Sequence, residues 1–191
     1  MIIPSIIAKN QKEFNKRFEK VKSFSTFHLD IMDGKFVKNK SLNFNFKLPK
    51  NKKFEAHLMV KNPKTWIKKH GKKVNSIIVH YESNNIEKLL NKKTSLAINP
   101  KTSIEEITPL LKKTNKILVM TVTPGKYGSK FLSSTLKKIK ELKKLKKTIE
   151  VDGSINPSTI KRVKNSGATK FVIGSYLQES KDVKIAIKKL K

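Results

Sequence analysis

Cysteine is absent from the 191 residues. That excludes disulfides and thiolate metal sites, and it fits a reducing, cytoplasmic compartment. Acidic residues are scarce, 14 against 44 basic ones, giving a net charge of +30. Arginine is nearly missing too: Arg17 and Arg162 are the two present, and every other basic residue is lysine. Nucleic-acid sites favour arginine for its bidentate fork. These lysines are also spread along helix faces, as in residues 137–147 (KKIKELKKLKK), rather than gathered in one block. Abundant Lys, Asn and Ile together read as a compositional bias, so nucleic acid is not the expected partner, although the charge would attract small anions. No apolar run approaches a membrane span. Met-Ile-Ile-Pro leads straight into a strand without a basic-then-apolar leader. The expectation is one domain over residues 1–191 with no membrane partner.

What is present centres on residues 27–39, FHLDIMDGKFVKN. Phe27, Leu29 and Ile31 alternate with His28, Asp30 and Met32, which is strand periodicity and places the second set on one face. Histidine, aspartate and methionine are an unusual set for a solvated face. A His and a carboxylate two residues apart on a strand point the same way and can share one metal ion. Asp33-Gly34 then supplies a turn.

Further strands are expected at residues 2–7, 54–60, 76–80, 95–98, 117–121, 149–151 and 170–173, with 26–32 as the second. Helical patterns separate or follow most of them, at residues 11–23, 64–70, 85–91, 103–113, 133–146, 157–166 and 181–190. Pro157 suits a first helical turn, with Asn156 as its cap. Strand alternating with helix predicts the α/β class and a parallel sheet. Eight strands predict a closed, compact (β/α)8 TIM barrel, with its chemistry at the C-terminal ends of the strands. Residues 39–54 carry no helical period where a second helix belongs, and the connection from His80 to Ser95 is short, so some helices are trimmed.

The run HLDIMDGKFVKN (28–39) resembles the ribulose-phosphate 3-epimerase family. AHLMVKNP (56–63), LAINPKTS (96–103), VMTVTPGKYG (119–128), EVDGSI (150–155) and VIGSY (172–176) are similar to that family's other motifs, in the same order. The resemblance runs from Pro4-Ser5 to about Leu177 and implies an isomerase of carbohydrate metabolism. The reaction it implies inverts C3 of a ketose phosphate through an enediolate, most simply D-ribulose 5-phosphate to D-xylulose 5-phosphate in the pentose phosphate series. The same chemistry on a hexulose or heptulose phosphate is an alternative, and a non-catalytic barrel that binds polyanions is another. The family is often oligomeric, so a homo-oligomer is one option, although the trimmed faces weaken that transfer.

His28, Asp30, His57 and Asp152 each lie near the C-terminal end of an expected strand, where barrel closure would gather them. They form an N/O set suited to one divalent ion, Zn, Fe, Mn or Co, among which donor softness does not choose. By resemblance, Asp30 and Asp152 are the catalytic pair, one accepting and one donating a proton on opposite faces of the enediolate. Met32, Met59 and Met120 match a methionine lining that would shield it, although methionine also simply fills gaps. Ser5 matches a substrate-hydroxyl contact, and His57 borders the substrate. Phosphate is expected at Gly125, Lys126, Tyr127 and Gly128, at Gly153 and Ser154, and at Gly174 and Ser175, where glycine lets backbone amides approach an anion. Tyr127 and Ser154 stand where the family has glycine. Strain is expected if Tyr127 needs a positive φ, while Ser154 and Lys126 could add a hydroxyl and a charge to the phosphate.

Overall fold

The computed structural model describes residues 1–91, 93–125 and 128–191. Eight parallel strands close on themselves. They are β1 (Ile2–Ile6), β2 (Thr26–Asp33), β4 (Lys53–Met59), β5 (Ser76–His80), β6 (Thr94–Ile98), β7 (Lys116–Met120), β8 (Thr148–Asp152) and β9 (Lys170–Ile173). β1 pairs with both β9 and β2, which closes the (β/α)8 barrel. The two-residue β3 (Lys40–Ser41) pairs antiparallel with the end of β2, Met32 opposite Ser41.

The helices are α1 (Gln11–Val21), α2 (Pro63–His70), α3 (Ile104–Ile107), α4 (Thr135–Lys144), α5 (Pro157–Ser166), α6 (Ser175–Glu179) and α7 (Val183–Lys188). Local chemistry fixes their ends. The Asn10 side chain accepts from Glu13 N at the start of α1. Asn156 caps α5 ahead of Pro157, and Gly167 (φ +117°) ends it in the left-handed conformation that glycine adopts without a Cβ penalty. Apolar residues at helical spacing, Ile139 and Leu142 on α4 and Ile160 and Val163 on α5, are buried against the strands.

Three expected helices differ. Residues 85–91 form turns, with Asn85 at φ +53°; the stretch offers one turn of apolar residues between asparagines, which favour turns. The expected 103–113 helix splits after Ile107 into a 3-10 turn, Thr108–Lys113, because Pro109 lacks the N–H that would continue α3. The last helix starts at Val183, where Asp182 accepts from Lys184 N and Ile185 N. Residues 39–54 carry no helix, as expected; Phe46 is buried there and stacks on Trp66 and His70.

Strand alternation sorts the residues into two layers. Leu29, Ile31, Ala56, Leu58, Val79, Ile117, Val119 and Ile149 face the helices in the main core. Inside the barrel, Ile78, Ala97, Leu118, Met120, Val122 and Val172 form a small separate apolar cluster. The other side of the lumen is ionisable, with His28, Asp30, Glu55, His57, His80 and Glu150 all buried.

Candidate metal centre and active site

β2 and β4 run in register with Asp30 opposite His57, and β7 pairs with β8 so that Met120 lies opposite Asp152. Pleating sends these side chains to the lumen near the strands' C-terminal ends. His28, Asp30, His57 and Asp152 each offer one donor atom, and the four atoms lie within 4.8 Å of one another. Asp30 Oδ1 is 3.1 Å from His57 Nδ1 and 3.4 Å from His28 Nε2, and Asp152 Oδ2 is 3.6 Å from His57 Nδ1. The two imidazoles therefore present opposite nitrogens to the same point.

A divalent ion fits this set. The donors are nitrogen and carboxylate oxygen, as zinc and its first-row neighbours require. His28 Nε2 is buried and has no hydrogen-bond partner among the described residues. A buried polar atom left unpaired is costly, and this one points at the two aspartates. Burial opposes the charge on Asp30, but the His28 and His57 rings beside it prevail and hold its carboxyl well below the usual range. Burial likewise disfavours a charged His28 ring, yet Asp30, Glu150 and Glu55 raise it well above the ordinary imidazole value. His57 is raised in the same way by Asp152 and Asp30. Two raised imidazoles around an ionised Asp30 are the balance expected where a cation would otherwise sit.

A second set of charges lies deeper. His28 Nδ1 is 2.8 Å from Glu55 Oε1 and 3.5 Å from Glu150 Oε1. Lys116 Nζ reaches both carboxylates at 2.9 Å. On the other flank, His57 Nε2 lies 2.8 Å from His80 Nε2, and His80 Nδ1 lies 3.0 Å from Glu82 Oε2. Burial pushes His80 down to about 4, against the pull of Glu82, so this ring is neutral.

Above the donors, one cleft is lined by Asp30, Asp152, Ser5, Met32, Met59 and Met120, and by the turns at Gly125, Gly128, Gly153, Ser154, Gly174 and Ser175. The model of the ribulose-phosphate 3 epimerase family matches residues 1–178.

The chain belongs to the ribulose-phosphate 3-epimerase family. A ribulose-phosphate 3-epimerase of Aquifex aeolicus is 32% identical over 182 residues, spanning 86% of this chain and 82% of that protein. One of Helicobacter pylori is 30% identical over 207 residues, 99% of this chain and 95% of that protein. The fold also resembles orotidine 5'-phosphate decarboxylase from Pyrococcus horikoshii, with a TM-score of 0.63 at 14% identity, covering 100% of this chain and 97% of that one.

In this member of the epimerase family the structure gathers most of the residues expected from sequence. His28 and His57 form the buried floor, and the aspartates, Ser5, the three methionines and the glycine turns line the cleft above. Lys126 and Tyr127 lie outside the described residues. Ser154 takes a positive φ (+51°) and follows Gly153 (φ +118°). The Ser154 hydroxyl donates to the Ser129 carbonyl. Glu55, His80, Glu82, Lys116 and Glu150 were not expected. Their signal was register: Glu55 is two residues before His57 and Glu150 two before Asp152, so both share the lumenal face of a ligand-bearing strand.

No helix among the described residues is long and apolar enough to cross a membrane.

Proposed function

We propose that this chain is a metal-dependent epimerase that inverts C3 of a ketose phosphate, most simply interconverting D-ribulose 5-phosphate and D-xylulose 5-phosphate. The observation that carries this is the meeting of two carboxylates, Asp30 and Asp152, with two imidazoles on the floor of one cleft. His28 Nε2, Asp30, His57 Nδ1 and Asp152 would hold one divalent ion. When bound, the ion supplies Lewis-acid stabilisation of the oxyanion that develops at C2 and acidifies the neighbouring C3–H.

The rest of the chemistry belongs to the side chains. Asp30, held ionised, takes the C3 proton on one face. The C3–H bonding pair becomes the C2–C3 double bond of the enediolate, and the C2 carbonyl pair moves onto oxygen. Asp152, carrying a proton, gives it to C3 on the other face, and the carbonyl re-forms. No electrons leave the substrate, and the two carboxyls exchange protonation states. Met32, Met59 and Met120 line the cleft at this level and keep water from the enediolate without fixing its charge. Ser5 contacts a substrate hydroxyl. Gly125, Gly128, Gly153, Ser154, Gly174 and Ser175 present amides to the phosphate.

The test is a substrate panel on protein loaded in turn with Zn, Fe, Mn and Co. Ribulose 5-phosphate is expected to be turned over, and chelation to abolish activity that added metal restores. Negligible turnover of ribulose 5-phosphate beside rapid turnover of a hexulose or heptulose phosphate would reassign the sugar and keep the chemistry.

A further inference from the structure

The lumen holds more charge than two proton transfers and one ion require, and its hydrogen bonds have a consistent direction. An ionised carboxylate can only accept, so a ring nitrogen facing one must carry a proton. Glu55 is a hydrogen-bond acceptor on both oxygens: the Lys116 ammonium, 2.9 Å from Glu55 Oε2 and 2.9 Å from Glu150, donates to one and faces the other carboxylate as well. His28 Nδ1, 2.8 Å from Glu55 Oε1, is then an N–H. Of the two ring nitrogens, that leaves Nε2, buried and turned toward Asp30, as the one that can give up its proton to a bound cation.

The other histidine is oriented through a longer chain. Glu82 accepts from Asn99 N at 2.9 Å and from the Thr102 hydroxyl, and its second oxygen faces His80 Nδ1 at 3.0 Å. His80 therefore carries its proton on Nδ1 and offers a lone pair at Nε2. The only arrangement that makes a hydrogen bond of the 2.8 Å contact between His80 Nε2 and His57 Nε2 is donation from His57. His57 Nδ1, which donates to Asp30 when no cation is bound, is then the nitrogen whose proton a cation would replace. Phe36, packed on the His80 ring at 4.8 Å between centroids, holds it in place.

We infer that Glu55, backed by Lys116, and the His80–Glu82 pair are positioning residues that fix opposite tautomers on His28 and His57, so that Nε2 of one and Nδ1 of the other converge as neutral donors on a single cation. This rests on the metal reading above. Outer-shell partners that orient a ligating imidazole typically contribute ten- to a hundredfold to metal affinity.

The experiment uses full-length protein and zinc alone. Nitrogen–proton correlation spectra of the zinc-loaded wild type are expected to show His28 protonated at Nδ1, His57 at Nε2 and His80 at Nδ1. Competition against a chromophoric chelator should show Glu55→Leu and His80→Phe binding zinc at least about tenfold more weakly than wild type. Glu55→Leu leaves Lys116 paired with Glu150, and His80→Phe keeps a ring against Phe36. His80→Gln, whose amide oxygen can still accept from His57, should bind within about threefold of wild type, a rescue that a purely structural role would not give. Any other tautomer in the loaded wild type, or variants that bind as tightly as wild type, overturns the inference and leaves the proposed function standing. If a variant fails to fold, the wild-type tautomers decide. A wild type that binds no zinc, manganese, iron or cobalt overturns both.

Discussion

Asp30 and His57 are register partners across two parallel strands, with Asp30 Oδ1 3.1 Å from His57 Nδ1. The pairing fixes the carboxylate's place in the barrel before any substrate or ion arrives. It also leaves the aspartate ionised, as a base must be, with one oxygen committed to the floor and its edge in the cleft.

Removing either carboxylate's charge should therefore separate the two halves of the reaction. Asp30→Asn and Asp152→Asn are expected to lose at least about a hundredfold in turnover with unchanged circular dichroism. Solvent-deuterium exchange at C3 is the sharper measurement. Asp152→Asn should still exchange the C3 hydrogen of the epimer served by Asp30 without inverting it, while Asp30→Asn should not. Equal exchange in both variants would show that the two carboxylates do not divide the faces between them.

The metal-free protein should lose stability as the pH rises above 7. His28 and His57 titrate above their ordinary value of about 6.5 because neighbouring carboxylates outweigh burial. A raised folded value means that each ring's contribution is complete below the unfolded value and is lost as the pH climbs through the folded one. His80, held at about 4, is neutral throughout this window and adds nothing to the slope. A bound cation replaces those protons and requires neutral rings. Thermal melts between pH 7 and 9, with zinc and with chelator, should show the gap in Tm widening with pH. A constant gap would mean that ring protons and metal do not compete.

Strands were legible because their apolar residues alternate and end in turn residues: Ser76–His80 and Lys170–Ile173 match the expected bounds. The two His and two Asp were legible as a set only through the resemblance; alternation alone says that His28 and Asp30 share a face, not that the face is a lumen. Glu55, Lys116 and Glu150 were missed for that reason. A charged residue in a strand reads as solvent-facing until the barrel closes, after which the same periodicity buries it. His80 ends a strand that looks wholly apolar, and only the register with β6, His80 opposite Ala97, shows which way it points.

Lys116 should matter to folding through the charges it separates. Burial lowers the affinity of its amine for a proton, but Glu150 and Glu55 more than reverse this, so it stays charged between them. Lys116→Met leaves two buried carboxylates without their cation and should cost about 3–5 kcal/mol in urea denaturation. Replacing all three together, Lys116→Met with Glu55→Leu and Glu150→Leu, removes the desolvation problem along with the pairing. That variant should recover to within about 2 kcal/mol of wild type. A single variant as stable as wild type would mean that His28 alone neutralises the pair.

The turn after Asp152 gives the last test. Gly153 has φ +118°, and a Cβ there would lie 2.4 Å from Val122 Cγ2, inside the lumen's own apolar cluster. Ser154, next in line, takes φ +51° with a side chain in place, a conformation that costs a residue other than glycine about 1 kcal/mol or more. Its hydroxyl, bonded to the Ser129 carbonyl, ties this turn to the segment that follows Gly128. Ser154→Ala keeps the backbone strain and loses the tie, whereas Ser154→Gly loses both. Ser154→Gly should therefore be more stable than Ser154→Ala by about 1 kcal/mol in urea titration. Gly153→Ala should be the worst of the series, since it adds a clash with Val122 to the strain. Gly128→Ala, at φ +75° with nothing within 4 Å of the added carbon, should suffer the strain alone. If Gly153→Ala and Gly128→Ala cost the same, the packing of Val122 under the turn is not what demands glycine there.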